Sequence, residues 1–157
     1  MSNALCPMNR VLVSLYRKEG PVAELNIVIA KALAARGCEI LASTGTLKTL
    51  RERGVDAVDL DDFVGRRSNL LDGRIRTISE PVLGGLLAKR DDPKHAVDLA
   101  IMRGDYIDVV VIDFYPEDAD LKGSHADFCE HTDIGGPLDV LAAWKNECWP
   151  VVPTTAR

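Results

Sequence analysis

The sequence lacks several things, and each absence narrows its function. No apolar run in the 157 residues approaches the roughly 20 that a membrane helix needs. "MSNALCPMNR" has no long apolar core, so no secretory signal is read there. No two of Cys6, Cys38, Cys129 and Cys148 share a C-x-x-C spacing, which leaves zinc and thioredoxin-like readings without support. Free thiols in a reducing cytoplasm are the expectation. The formal charge of −5 argues against general nucleic-acid binding, which needs a basic footprint. A locally basic hollow for a small anion stays open. G-x-x-x-x-G-K-[ST] is absent, so there is no Walker loop. His95 falls in an expected surface helix, and His125 and His131 in a polar loop where His131 lies two residues before Asp133. No Ser-His-Asp triad assembles from them. Neither repeats nor a low-complexity linker break the chain.

What is present is ordinary for a globular protein, at 46% hydrophobic and 27% charged residues. One domain over residues 1–157 is expected. "RVLVSLY" reads as a strand, "VAELNIVIAKALAARG" as a helix stopped by Gly37, and "CEILAST" as a second strand. "LKTLRERG" reads as a short helix and "VDAVDLDDF" as a third, more exposed strand. The centre, 64–87, carries four glycines and four arginines and reads as irregular. "DPKHAVDLAIMRG" is a helix from about Pro93. "YIDVVVIDFYP" is the strongest strand, a continuous apolar run suited to a sheet covered on both faces, with Pro116 ending it. "PLDVLAAWKN" reads as an amphipathic helix with Pro137 in its first turn, and "WPVVPTT" as a last strand. Strand–helix alternation predicts an α/β fold with a mainly parallel sheet.

Ligands of open α/β sheets sit beyond the carboxyl ends of the strands. Ser14 and Lys18 follow the first strand, where a hydroxyl and an ammonium suit a phosphate. A solvated turn is the bland alternative. Ser43, Thr44, Gly45 and Thr46 stand between the second strand and its helix. Small residues there admit an anion to backbone N–H groups, or they cap the helix. Asp113 and Tyr115 leave the central strand on one face; Asp113 is a site residue or a cap. Arg74 and Arg76, with Thr77 beside them, form a cationic loop over the same rim or a salt-bridged surface loop. Asp133, Ile134, Gly135, Gly136 and Pro137 open the last long helix, and glycines cost backbone entropy there. Bare N–H groups at a helix entrance suit a developing oxyanion. Lys145 lies twelve residues beyond Asp133.

"LDGRIRT", "GGLLAKRDD", "IDVVVIDFYP" and above all "DIGGPLDVLAAWKN" resemble, in this order, the IMP cyclohydrolase domain of the bifunctional purine-biosynthesis enzyme that also carries an AICAR formyltransferase. The likeness runs from about Val11 to Val152, and no formyltransferase sequence accompanies it. It implies a methylglyoxal-synthase-like three-layer α/β sandwich. The implied substrate is an imidazole ribonucleotide, formyl-AICAR. Its carboxamide nitrogen attacks the formamide carbon and water leaves, with no metal or cofactor. An amide nitrogen is a poor nucleophile, so the site must orient it, take a proton and stabilise oxyanion charge. The family's habit implies a homodimer.

Carried over residue by residue, the family's phosphate-binding Ser and Lys match Ser14 and Lys18, and its small-residue loop matches Ser43 to Thr46. Arg74 and Thr77 match residues flanking its loop lysine. Tyr115, Asp133 to Gly136 and Lys145 match further site residues. Departures cluster at the chemistry. K-T-L-H-P-K-V-H-G-G of the family reads R-T-I-S-E-P-V-L-G-G, so its lysine is Arg76 and its histidines are Ser79 and Leu83. The Asn before Leu-Tyr-Pro is Asp113, and S-D-K-T-G reads "YRKEG". Arg76 keeps the charge but is no base. The resemblance therefore assigns proton handling to Asp133 and Tyr115, charge stabilisation to Arg76, the phosphate to Ser14, Lys18, Ser43, Gly45 and Thr46, and a place in the substrate site to Thr44. Lys145 reaches the same ligand, a neighbouring subunit, or only its helix end. A changed substrate in a specialised pathway fits the altered loop. The rival readings are a methylglyoxal-synthase-like lyase and a non-catalytic nucleotide sensor.

Overall fold

The computed structural model describes residues 8–65, 67–68, 70–115, 124–130 and 132–153. Cys6, Pro116, His131, Thr154 and Thr155, and the expectations placed on them, lie outside these residues.

Five strands make the sheet: β1 (Arg10–Leu15), β2 (Glu39–Ala42), β3 (Val58–Asp59), β4 (Val109–Asp113) and β5 (Trp149–Val151). Their order is β3-β2-β1-β4-β5 and every pairing is parallel. β1 and β4 pair from Val11↔Val109 to Leu15↔Asp113 at the centre. All five residues of β4 are buried, as its unbroken apolar run requires.

Side chains alternate across the sheet and build two cores. Val11, Val13, Leu15, Ile40, Val109 and Val111 pack with Ile27 and Ala30 of α1 (Pro21–Ala34) and Leu47 and Leu50 of α2 (Thr44–Glu52). On the other face Leu12, Leu41, Val110 and Ile112 meet α3 (Leu60–Val64), α4 (Glu80–Leu87) and α7 (Gly135–Lys145). The three-layer α/β sandwich is as expected. Among the described residues the remaining helices are the 3-10 turn Leu71–Gly73, α5 (Pro93–Ile101) and α6 (His125–Glu130). None among the described residues is long and apolar enough to cross a membrane.

Three local readings change. "VDAVDLDDF" is strand only at Val58–Asp59, because Asp59 accepts a hydrogen bond from the Asp61 N–H at 3.0 Å and starts α3. The irregular centre contains α4, whose paired glycines read as breakers. They are packing residues: a Cβ on Gly85 would stand 2.4 Å from the Asp105 carbonyl oxygen, and one on Gly84 2.8 Å from Met102 Sδ. His125 belongs to α6 rather than to a loop; the helix is six residues long and buries none of them, so it gives no core-facing stripe to recognise.

At the amino ends of the strands, Asp108 is a buried acid that is fully engaged. Its Oδ2 accepts from the N–H groups of Asn9 at 2.8 Å and Arg10 at 3.0 Å, and its Oδ1 pairs with Arg90. This clamp leaves the carboxyl rim for other work.

Candidate functional site

Because every strand runs the same way, all carboxyl ends share one rim. A cavity of about 340 Å³ opens there, within the range of small-molecule sites. Its walls come from the segment leaving β1 (Ser14, Tyr16, Lys18), the loop before α4 (Arg74, Arg76, Thr77), and the end of β4 (Asp113, Tyr115). Asp133, Ile134, Gly135 and Gly136 close it at the entrance of α7.

The cations are arranged unequally. The Lys18 ammonium donates to the Leu15 carbonyl oxygen and reaches Thr46 Oγ1 at 3.3 Å. Burial lowers the Lys18 pKa below its ordinary value, and the neighbouring Arg76 charge lowers it further, while Asp113 opposes both. Arg76 has no salt-bridge partner among the described residues. Two adjacent cations in a shared hollow favour an anion as their third member. Arg74, by contrast, pairs with Glu130 of α6, so the salt-bridged reading of that residue holds while it also lines the wall.

Asp113, 6% exposed, is committed to Arg17. The Arg17 N–H donates to its Oδ2 at 2.7 Å and Nη1 to its Oδ1 at 2.5 Å. Its charge is therefore matched inside the protein rather than presented bare to a ligand. The Tyr115 ring lies against Tyr16, with centroids 4.4 Å apart.

At "DIGGP" the expected bare N–H groups are only partly bare. Gly136 N–H donates to Asp133 Oδ1 at 3.0 Å, and Tyr115 N–H approaches Oδ2 at 3.4 Å. A short acidic side chain before a helix satisfies its first donors in this way. The glycines are needed for closeness. A Cβ on Gly136 would lie 2.9 Å from both Asp133 Oδ2 and Phe114 Cδ1, and one on Gly135 3.3 Å from Thr77 Oγ1.

Ser43 to Thr46 do not line this cavity. Ser43 is buried ahead of α2, Thr44 and Gly45 are exposed in its first turn, and the expected loop is thus helix. Thr46 reaches the site's wall: its Oγ1 accepts from the Leu15 N–H at 3.1 Å and sits beside Lys18, and a Cβ on Gly45 would stand 3.7 Å from Lys18 Cε. Lys145 is not brought in either; it is exposed at the far end of α7. A larger hollow of about 1070 Å³ lies between α4 and α5, sharing Ile78 with the cavity. Its walls are mostly apolar, so the smaller, polar hollow is the better candidate. Among the described residues no His, Cys, Asp and Glu group is placed to hold a metal ion.

Two acid–base features escape a sequence reading. Arg17, inside "YRKEG", carries no role in the sequence reading, yet it holds Asp113. Asp139, in α7, is 0% exposed, and among the described residues neither carboxylate oxygen has a hydrogen-bond partner. Burial pushes its pKa up to about 7; the nearby Thr77 hydroxyl opposes this and the Asp133 charge adds to it. The available signal was the helix's composition. Asp139 shares a face with Ala142 and Ala143, while Leu141 and Trp144, 66% and 76% exposed, point outward. The helix is not amphipathic as expected, but carries its acid inside.

Fold and rim together define an MGS-like domain: the model of that family matches residues 26–138, and the chain belongs to it. The particular likeness is to proteins called "Bifunctional purine biosynthesis protein PurH". The one from Paracoccus denitrificans (strain Pd 1222) is 43% identical over 148 residues, 93% of this chain and 27% of that protein. The one from Dinoroseobacter shibae is 40% identical over 152 residues, covering 96% and 28%. The chain thus spans about a quarter of the length of these curated relatives. Among solved structures, the crystal structure of ForH superposes with a TM-score of 0.72 at 28% identity, covering 92% of this chain and 72% of that one.

Proposed function

We propose that the chain is a cyclohydrolase-type enzyme of purine-nucleotide synthesis. It closes a formamido-imidazole carboxamide ribonucleotide such as formyl-AICAR to a purine nucleotide such as IMP, or runs the hydrolytic reverse. The observation carrying this reading is the single hollow that gathers Lys18, Arg76, Tyr115, Asp133 and Gly136 in a chain similar to the purine-biosynthesis proteins. Lys18, steadied by Thr46 and flanked by Ser14, takes the 5′-phosphate. Asp133, held by two backbone N–H groups, accepts a proton from the carboxamide nitrogen as that nitrogen attacks the formamide carbon. Arg76 and the α7 entrance meet the charge that forms on oxygen, and Tyr115 handles the second proton as water departs. Arg76 in place of a lysine, and Asp113 tied to Arg17, favour a substrate modified around the base. By the family's habit, a homodimer is part of the proposal.

Incubation with formyl-AICAR should give IMP, followed by absorbance. Turnover of dihydroxyacetone phosphate instead would favour the lyase, and nucleotide binding without any turnover the sensor. Lys18→Met should weaken IMP binding by about 10- to 100-fold, the loss of one charge-assisted contact, as read by calorimetry. Unchanged affinity would remove Lys18 from the phosphate site.

A further inference from the structure

Tyr16 has no part in the reaction just described, yet it stands in the wall of the hollow. β1 and β4 are paired neighbours, with Leu15 opposite Asp113. The chain leaves β1 through Tyr16 and β4 through Tyr115. The two rings meet there, their centroids 4.4 Å apart and their planes inclined at 45°. Among the described residues these two are the aromatic members of the cavity lining. Tyr115 is half-buried, whereas Tyr16 is 41% exposed. A ring left that open gives the fold less burial than its size offers.

The segment around Tyr16 is fixed on both sides. The Arg17 N–H donates to Asp113 Oδ2 at 2.7 Å and Arg17 Nη1 to Oδ1 at 2.5 Å, which clamps the backbone just after Tyr16 to the end of β4. The Lys18 ammonium donates back to the Leu15 carbonyl oxygen. Three successive residues thus place an exposed ring, a satisfied charge and an ammonium along one wall. Around them the exposed lining is mostly polar or charged, Arg74, Arg76 and Glu130 among it. A planar heterocycle needs a flat apolar face as well as polar edges, and Tyr16 supplies such a face between the proposed phosphate group Lys18 and the Tyr115 ring. Tyr16, Arg17 and Asp113 all stand at departures from the family pattern, so this wall is the chain's own.

We propose that Tyr16 is a specificity-determining residue for the base of the nucleotide. The exposed face of its ring stacks on the planar heterocycle, and the Tyr115 ring supports it from the side. The ligand class is a ribonucleotide whose aromatic base lies flat on Tyr16, in preference to a sugar phosphate without a base. Stacking makes no bond and moves no proton. It reads π surface rather than a hydrogen-bonding edge, so it tolerates a heterocycle altered along that edge. The inference rests on the proposed nucleotide site.

Calorimetry with IMP and with ribose 5-phosphate, the same sugar phosphate lacking the base, tests it. The wild type should bind IMP more tightly. Tyr16→Ala should weaken IMP by about tenfold, the loss of one stacked base, and leave ribose 5-phosphate as it was. Tyr16→Phe restores the ring without the hydroxyl and should restore IMP affinity. Unchanged IMP affinity in Tyr16→Ala would overturn the proposal. Equal losses for both ligands would do the same, since they would assign Tyr16 to the phosphate or to the fold. A loss in Tyr16→Phe as large as in Tyr16→Ala would place the effect in the hydroxyl and also overturn stacking. In each of these cases the wild type still binds IMP and the proposed function stands. A wild type that binds neither ligand is a different result, which removes the proposed function and the stacking with it. A second measurement needs no truncated side chain. In the wild type saturated with IMP, NMR should show cross-relaxation between the base protons and Tyr16 ring protons, the latter identified by their change in Tyr16→Phe. Saturation without that contact would refute the stacking directly.

Discussion

Asp133→Asn should lower turnover of formyl-AICAR by about 10²- to 10⁴-fold, the usual contribution of one positioned proton acceptor. IMP affinity and thermal midpoint should stay close to wild type. The separation is expected because Asp133 has two duties that asparagine divides. Its Oδ1 accepts the Gly136 N–H at 3.0 Å, and the Asn amide oxygen can accept the same bond. The helix entrance is kept, while the capacity to take a proton is lost together with the longer, 3.4 Å contact from the Tyr115 N–H to Oδ2. Kinetics across pH, with calorimetry on the same preparations, check this. Full activity in Asp133→Asn would reassign the base, with Tyr115 the next group to examine. A collapse of both binding and fold would show that the carboxylate's work is structural.

The second large effect concerns stability and pH. Asp139 has an ordinary carboxyl value of 3.8 when unfolded and about 7 when buried. Between these values the native protein holds a proton that the unfolded chain has released. Rising pH therefore favours unfolding across that window. At about 1.4 kcal/mol per pH unit, the gap amounts to about 4 kcal/mol of stability present near pH 4 and gone above pH 7. Urea unfolding at a series of pH values should show this decline, and Asp139→Asn or Asp139→Leu should flatten it. Asp61 runs the other way. Hydrogen bonds from the Ser68 hydroxyl and N–H lower its pKa. Its stabilisation is present above the unfolded value and is lost only as pH falls below it. The two groups therefore act in different windows, and a decline between pH 4 and 7 belongs to Asp139. A stability that rises with pH through that interval would contradict the burial of an ionisable Asp139.

How far the sequence was legible depended on what each element packs against. β1 and β4 were readable because strands covered on both faces must be apolar throughout. α4 was hidden because Gly84 and Gly85 have no helical preference; their reason is the Asp105 backbone and the Met102 side chain, far along the chain. α6 was hidden because it buries no side chain. At the site, the residues on strand ends and at the α7 entrance could be placed by topology alone, since a parallel sheet gathers its carboxyl ends. Which donors and charges are already spent could not. The Arg17–Asp113 pair spans residues 96 apart in sequence, and no local pattern reports it. Asp139 was missed for a related reason. An acid in a helix reads as a solvent residue until the opposite face, with Leu141 and Trp144, proves to be the outer one.

The sheet's borders have a consequence for how copies of the chain can meet. One border is the two-residue β3 and the other the three-residue β5, with Pro150 at its middle. Neither presents a row of free peptide groups long enough to recruit a foreign strand, and the proline has no N–H to offer. Ribbon-to-ribbon joining into a continuous sheet is thereby discouraged at both margins, which leaves helical surfaces as the natural ground for self-association.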